Sequence, residues 1–146
     1  MIDAQSRYDS LFEYWGAVTG QDPWLLKAQA QAESGLNPDA VSPVGAKGLT
    51  QFMDATWAGV SGKFLHPSVW NPEQAIRAQA AYMAQLGKEC PSMELTLAAY
   101  NWGIGRVRRT FLVPGIPYDS AKVPQETRQY IERILRTYAA FQKGDA

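Results

Sequence analysis

The strongest constraint in this chain is the segment from Gln125 to Gln142. At about 100° per residue, Tyr130, Ile131, Ile134, Leu135, Tyr138 and Phe141 share one arc with Thr127. Arg128, Glu132, Arg133 and Arg136 face away. A helix with such a stripe has to bury it against other elements. No run elsewhere alternates with period two, so the remaining elements are also expected to be helices. Residues 8–19 place Tyr8, Leu11, Phe12, Trp15 and Val18 at helical spacing, with Gly20 as the stop. Asp22-Pro23 is a cap followed by proline at the first helical position, and this second helix runs to about Ser34. Residues 35–48 form a loop, and short helices are expected over 49–53 and 54–59. Asn71-Pro72-Glu73-Gln74 opens a longer helix, with Asn71 and Gln74 as a capping-box pair. Its apolar stripe is Ile76, Ala80, Met83 and Leu86, and Gly87 is its expected end. Ser92 caps a helix over 93–101, a short one follows over 104–110, and 111–124 is a loop. The fold class is all-α, with residues 1–146 as a single domain, and no repeat or linker is visible.

Composition then excludes several classes of function. Fourteen Lys and Arg balance fourteen Asp and Glu. Nucleic acid is therefore not expected as the main partner, because that affinity comes from neutralising phosphates. A local patch of Arg106, Arg108 and Arg109 stays open. One cysteine, Cys90, forbids an internal disulfide, and one histidine, His66, leaves too few soft ligands for a usual zinc site. No metal and no cofactor are expected. His66 reads as a surface or packing histidine, since nothing near it resembles a nucleophile elbow. No apolar run approaches the roughly 20 residues of a membrane span. Met-Ile-Asp-Ala-Gln-Ser-Arg-Tyr at the start has no hydrophobic signal region. Synthesis in the cytoplasm, or a trimmed mature form, is the expectation.

Glu33 is the carboxylate that stands out. On the second helix the polar arc centres on Lys27 and Gln31, whereas Glu33 is flanked by Leu25, Gln29, Leu26 and Ala30. It also falls in the last turn, where the helix dipole disfavours negative charge. Burial and the dipole would both raise its pKa, and a carboxyl that keeps its proton near neutrality can serve as a general acid. The alternative, a glutamate at an exposed helix end, is not dismissed by amphipathicity alone.

Four ordered blocks then give the sequence a family likeness. Ala32-Glu33-Ser34-Gly35-Leu36-Asn37-Pro38 is followed by Gly45-Ala46-Lys47-Gly48-Leu49-Thr50-Gln51-Phe52-Met53. Ala98-Ala99-Tyr100-Asn101-Trp102-Gly103 and Glu126-Thr127-Arg128-Gln129-Tyr130-Ile131 come after them. Together they resemble the soluble lytic transglycosylases over about residues 8–139. The resemblance implies a lysozyme-like helical domain with a groove for peptidoglycan glycan strands. It implies cleavage of the β-1,4 bond between N-acetylmuramic acid and N-acetylglucosamine. The muramyl O6 would be the acceptor, giving 1,6-anhydromuramyl ends, with Glu33 as the single acid and base. Ser34 would bind or orient the substrate acetamide, or act only as a polar residue at a helix end. Gln51 would line the groove, or brace its loop. Tyr100 and Asn101 match groove residues, and Tyr130 matches the tyrosine near the catalytic glutamate. Gly45 and Gly48 serve backbone geometry, and Glu126 and Thr127 read as helix-start residues. Phe52 and Met53 either wall off Glu33 or pack in the core. Trp57, Trp70 and Trp102 are candidates for sugar stacking, at least two of them being core.

Three positions depart from the family pattern: Thr50 for an apolar residue, Asp54 for a proline, and Trp102 for a small residue. None removes a group from the chemistry, but Thr50 and Trp102 bear on subsite shape. Hydrolysis on the same fold, as in goose-type lysozymes, is the rival reading and would need a second carboxylate such as Asp39 or Asp54. A non-catalytic glycan-binding module is the rival from another class. The expected partner is the glycan strand, with the chain acting as a monomer. The setting implied is a phage or prophage lysis enzyme or a virion-associated one, with a secretion-system enzyme as the alternative.

Overall fold

The computed structural model describes residues 6–144. Residues 1–5, where the reading of the N-terminus falls, lie outside the described residues. Seven α-helices and no strand are present among the described residues. They are α1 (Asp9–Thr19), α2 (Pro23–Ser34), α3 (Asp54–Val60), α4 (Pro72–Glu89), α5 (Met93–Trp102), α6 (Ile104–Val107) and α7 (Gln125–Gln142). A π-helical turn, Arg108–Leu112, continues α6, and a 3-10 turn, Ser120–Lys122, precedes α7.

α2 lies at the centre, packed against α1, α4 and α7, while α5 joins α4 to α7. The first half of the α7 stripe, Thr127, Tyr130, Ile131 and Ile134, is in the core, and Leu135, Tyr138 and Phe141 pack against it partly buried. Phe12, Leu26, Ile76, Met83, Leu95, Leu97 and Phe111 supply most of its large apolar side chains. Each fully buried side chain of that size contributes about 2 kcal/mol from apolar burial.

The helix starts follow their capping chemistry. Asp22 accepts from the Trp24 amide, Asn71 from the Gln74 amide and Ser92 from the Leu95 amide. The Asn71 box is only half formed, because the Gln74 side chain turns to Ser68 N and His66 O instead. Gly87 does not end α4, which runs on to Glu89 before Cys90 turns extended. Glycine inside a helix costs about 1 kcal/mol relative to alanine, a propensity that tertiary packing overrides, and Leu86 and Cys90 are both buried.

Residues 49–53 are not helical, contrary to expectation. They form a tight loop closed by paired bonds between Lys47 and Phe52, with N–O distances of 3.0 Å in both directions. Two residues carry positive φ, Gly48 at 82° and Gln51 at 55°. A Cβ on Gly48 would stand 2.4 Å from the Val69 carbonyl oxygen, so this position requires glycine. The loop is drawn against α2 by Ser34, whose hydroxyl donates to the Leu49 carbonyl at 2.7 Å.

Candidate active site

Glu33 sits one residue before the end of α2, where Gly35 takes a left-handed conformation. The residue is half-buried, but its carboxyl is heavily desolvated, and this pushes its pKa from 4.5 to about 8. A hydrogen bond from Tyr130 acts in the opposite direction, and the Glu126 carboxylate adds a smaller upward push. The Tyr130 hydroxyl donates to Glu33 Oε2 at 3.1 Å across 97 residues of sequence. Burial holds Tyr130 and Tyr100 well above the ordinary phenol pKa, and the field of Glu33 adds to both shifts. Near neutrality the site therefore holds a protonated carboxyl beside phenols that keep their protons, the state a general acid needs.

Lys27 overturns part of the helical-wheel reading. It is not on a solvent face: it is 4% exposed. Its ammonium lies 2.8 Å from Asp9 Oδ1 and 5.1 Å from the Phe141 ring centroid. A wheel drawn on α2 alone cannot show that α1 and α7 close over this side. The conclusion about Glu33 survives, since Lys27 is committed elsewhere.

A cleft of about 240 Å³ opens beside these helices. Gln51, Met53, Tyr82, Tyr100, Asn101 and Trp102 are among its lining residues. An aromatic cluster forms its floor, with Phe52–Tyr100 and Tyr82–Tyr100 ring centroids 5.7 and 5.5 Å apart. Glu33 does not line this cleft; it is linked to it through the field at Tyr100.

Three of the sequence candidates thus come together in the cleft, but their polar groups are partly committed. Gln51 Nε2 donates to the carbonyls of Ala40 and Gly48, at 3.2 and 3.0 Å, so its amide braces the loop. The Tyr100 hydroxyl donates to the Thr50 carbonyl at 2.9 Å, which leaves its ring, not its oxygen, for a ligand. Asn101 Oδ1 accepts from the Thr127 hydroxyl at 2.9 Å, which turns the amide nitrogen outward as a donor. Ser34 stands apart: its hydroxyl bonds to Leu49 O and receives the Asn37 amide, ties that serve the loop.

The departures also find places. The Thr50 hydroxyl is buried and donates to the Ala75 carbonyl of α4, outside the cleft. Asp54 opens α3, where an acid favours the positive helix end, and pairs with Lys47 at 2.9 Å. Trp102 does line the cleft, whereas Trp57 packs between Phe52 and Phe64. Trp70 is 42% exposed and Trp57 and Trp102 are only partly buried, so the expectation that at least two of the three are core does not hold. The arginine patch is smaller than its residues imply, because Arg108 is held bidentately by Glu89. His66 is exposed, and no group of three or more His, Cys, Asp or Glu that could hold a metal occurs among the described residues.

Sequence reasoning missed Gln29 and Gln79. Both are fully buried, and Gln29 donates to the Tyr130 hydroxyl at 3.0 Å. The available signal was position: Gln29 lies four residues before Glu33, on the same helical face.

The chain has known relatives in both sequence and fold. The transglycosylase SLT domain family matches residues 10–116. The chain belongs to this family. It is 34% identical over 134 residues to the peptidoglycan transglycosylase gp16 of Escherichia phage T7, covering 89% of this chain and 10% of that protein. It is 36% identical over 108 residues to membrane-bound lytic murein transglycosylase F of Yersinia pestis, covering 68% and 21%. Among solved structures, an inactive Glu-to-Gln variant of lytic transglycosylase Slt from Pseudomonas aeruginosa superposes with a TM-score of 0.80 at 28% identity. The 70-kDa soluble lytic transglycosylase in complex with bulgecin A does so with 0.82 at 27%. Each covers 96% of this chain and is itself covered over 25%. The chain thus spans a tenth to a quarter of these relatives. α7 and Tyr130 lie beyond the stretch that the family matches.

Proposed function

We propose that this chain is a peptidoglycan lytic transglycosylase domain whose acid and base are both Glu33. The observation that carries the proposal is the desolvated Glu33 carboxyl, with a pKa of about 8 and a hydroxyl donor at its edge. In the first step the Glu33 proton passes to the glycosidic oxygen as the bond from that oxygen to the muramyl C1 breaks. The substrate acetamide supports the oxocarbenium-like carbon that forms. In the second step the muramyl O6 attacks C1, and its proton goes to the Glu33 carboxylate. The product is a 1,6-anhydro end, the glutamic acid is regenerated, and no water is consumed.

The single-carboxylate route fits the surroundings of Glu33. Standard glycosidases place two carboxylates across the bond, and substrate-assisted ones need fewer. Asp54 is tied to Lys47, and Asp39 is exposed. In the binding cleft the Tyr100 ring and Trp102 offer apolar faces, and the Asn101 amide a donor. Gln51 and Ser34 hold the loop that borders it, and Tyr130 holds the acid. We also read the chain as a single domain acting as a monomer. No helix among the described residues is long and apolar enough to cross a membrane. The likeness to the phage protein supports a phage-borne role in wall degradation; neighbouring holin genes would mark a lysis enzyme and tail genes an entry enzyme.

Mass spectrometry of muropeptides released from purified cell walls tests the reaction. Anhydromuramyl ends are expected. Reducing ends would establish hydrolysis, with Glu126, the carboxylate whose field reaches Glu33, as the first base to examine. Wall clearing that persists in Glu33→Gln would point to another acid.

A further inference from the structure

A buried chain of amides stands behind the carboxyl. Gln79 Nε2 donates to the Leu26 carbonyl at 2.9 Å and to Gln29 Oε1 at 2.8 Å. Gln29 Nε2 donates to the Tyr130 hydroxyl at 3.0 Å and lies 3.5 Å from Met83 Sδ. The Tyr130 hydroxyl in turn donates to Glu33 Oε2. We propose that Gln29, locked by Gln79, is a positioning residue that aims the one hydroxyl proton of Tyr130 at Glu33.

The direction of every bond follows from its anchor. The Leu26 carbonyl can only accept, so Gln79 must present its nitrogen there. The same nitrogen carries a second N–H, and the group opposite it must be the Gln29 oxygen. The Gln29 nitrogen is thereby turned to Tyr130, where it fills a lone pair of the hydroxyl oxygen. A flipped Gln29 would set N–H against N–H at Gln79 and would take the phenol proton for itself. Gln79 Oε1 is left buried without a partner among the described residues. Buried side-chain oxygens nearly always have a partner, and here the orphan follows from the amide being held by its nitrogen end.

The chain acts on the two forms of Glu33 unequally. The aimed hydroxyl stabilises the carboxylate, the form that must take up the O6 proton in the second step. If Gln29 releases the hydroxyl, Tyr130 can instead accept from the protonated acid, which favours the acid. The other ionisable groups around Glu33 stay in place: Glu126 on α7 and Tyr100 on α5. Lys27 on α2 is bound to Asp9 of α1, and Arg77 of α4 stacks over Trp15 and Phe64.

This inference rests on the proposed role of Glu33, but its test needs no turnover. The carboxyl carbon of Glu33 is titrated by NMR in protein labelled at glutamate, in wild type, Gln29→Met, Tyr130→Phe and the double variant. Gln29→Met should lower the Glu33 ionisation constant by roughly threefold to tenfold, and should have no further effect once Tyr130 is phenylalanine. Gln79→Met, which frees the Gln29 amide to turn, should act in the same direction more weakly and serves if Gln29→Met does not fold. An unchanged constant, or an equal change with and without the phenol, would overturn the proposal even if the melting temperature falls. Failure of the transglycosylase reading would show separately, as reducing ends in the products.

Discussion

Helix α2 buries charge-bearing groups on two of its sides and treats them differently. On one side Lys27 meets an opposite charge, Asp9, and is covered by Phe141. On the other, Glu33 has no cation paired with it among the described residues and accepts from the neutral hydroxyl of Tyr130. Pairing with a counter-charge fixes the ionised form and serves the fold. A hydroxyl leaves both forms within reach, and desolvation then tips the carboxyl towards holding a proton. Stability and chemistry are thus carried by neighbouring turns of one helix, and they should separate under mutation.

The largest effect belongs to the acid. Glu33→Gln is expected to lower turnover of cell-wall substrate by about 10³-fold, measured as muropeptide release. Its effect on stability has the opposite sign. The folded chain holds a proton at Glu33 from pH 4.5 to about 8, where the unfolded chain has released it. Stability therefore falls as pH rises through this window. Urea unfolding should find Glu33→Gln more stable than wild type at pH 8, by on the order of 3 kcal/mol, with little difference at pH 4.

Lys27→Met reverses that pattern. It leaves Asp9 without its partner, and because Asp9 is 27% exposed and can be rehydrated, the loss is set at about 2 kcal/mol in the same unfolding experiment. Turnover per folded molecule should stay within about twofold of wild type. A large loss of turnover in Lys27→Met would show that the two sides of α2 are coupled.

Tyr130→Phe removes the hydroxyl that favours the carboxylate. The Glu33 pKa should rise above about 8, and turnover should fall about tenfold. A pH–rate profile checks both, because its alkaline limb should move up. The smallest effect is expected from Thr127→Val, which frees the Asn101 amide to turn. KM should rise roughly threefold with little change in kcat, read from initial rates on soluble glycan strands.

How far these two sides could be read from the sequence depended on where the partner lay. Glu33 stands out on the period of its helix, but only the motif blocks single it out from a glutamate at an exposed helix end. Lys27 reads as part of a polar arc when α2 is taken alone, because its partner, Asp9, is on another helix. The α7 stripe needed no partner information, and its bounds were found as expected. Leu49, Phe52 and Met53 have helical spacing, yet residues 49–53 form a loop. Its conformation is instead set by the positive φ of Gly48 and Gln51 and by the approach of Val69, none of which a hydrophobic pattern records. The motif blocks pointed to Gln51, Tyr100 and Asn101, but not to which of their atoms the loop and α7 already occupy. Gln29 and Gln79 carry no motif, and their importance appears only when Leu26, Tyr130 and Glu33 are seen on one hydrogen-bonded line.

The central claim is that a neutral donor, unlike a counter-charge, leaves Glu33 holding its proton near neutrality. Titrating the wild-type Glu33 carboxyl by carbon NMR tests it most directly. A midpoint near pH 8 is expected. A midpoint near 4.5 would mean that Glu33 is ionised at neutral pH and would contradict the account.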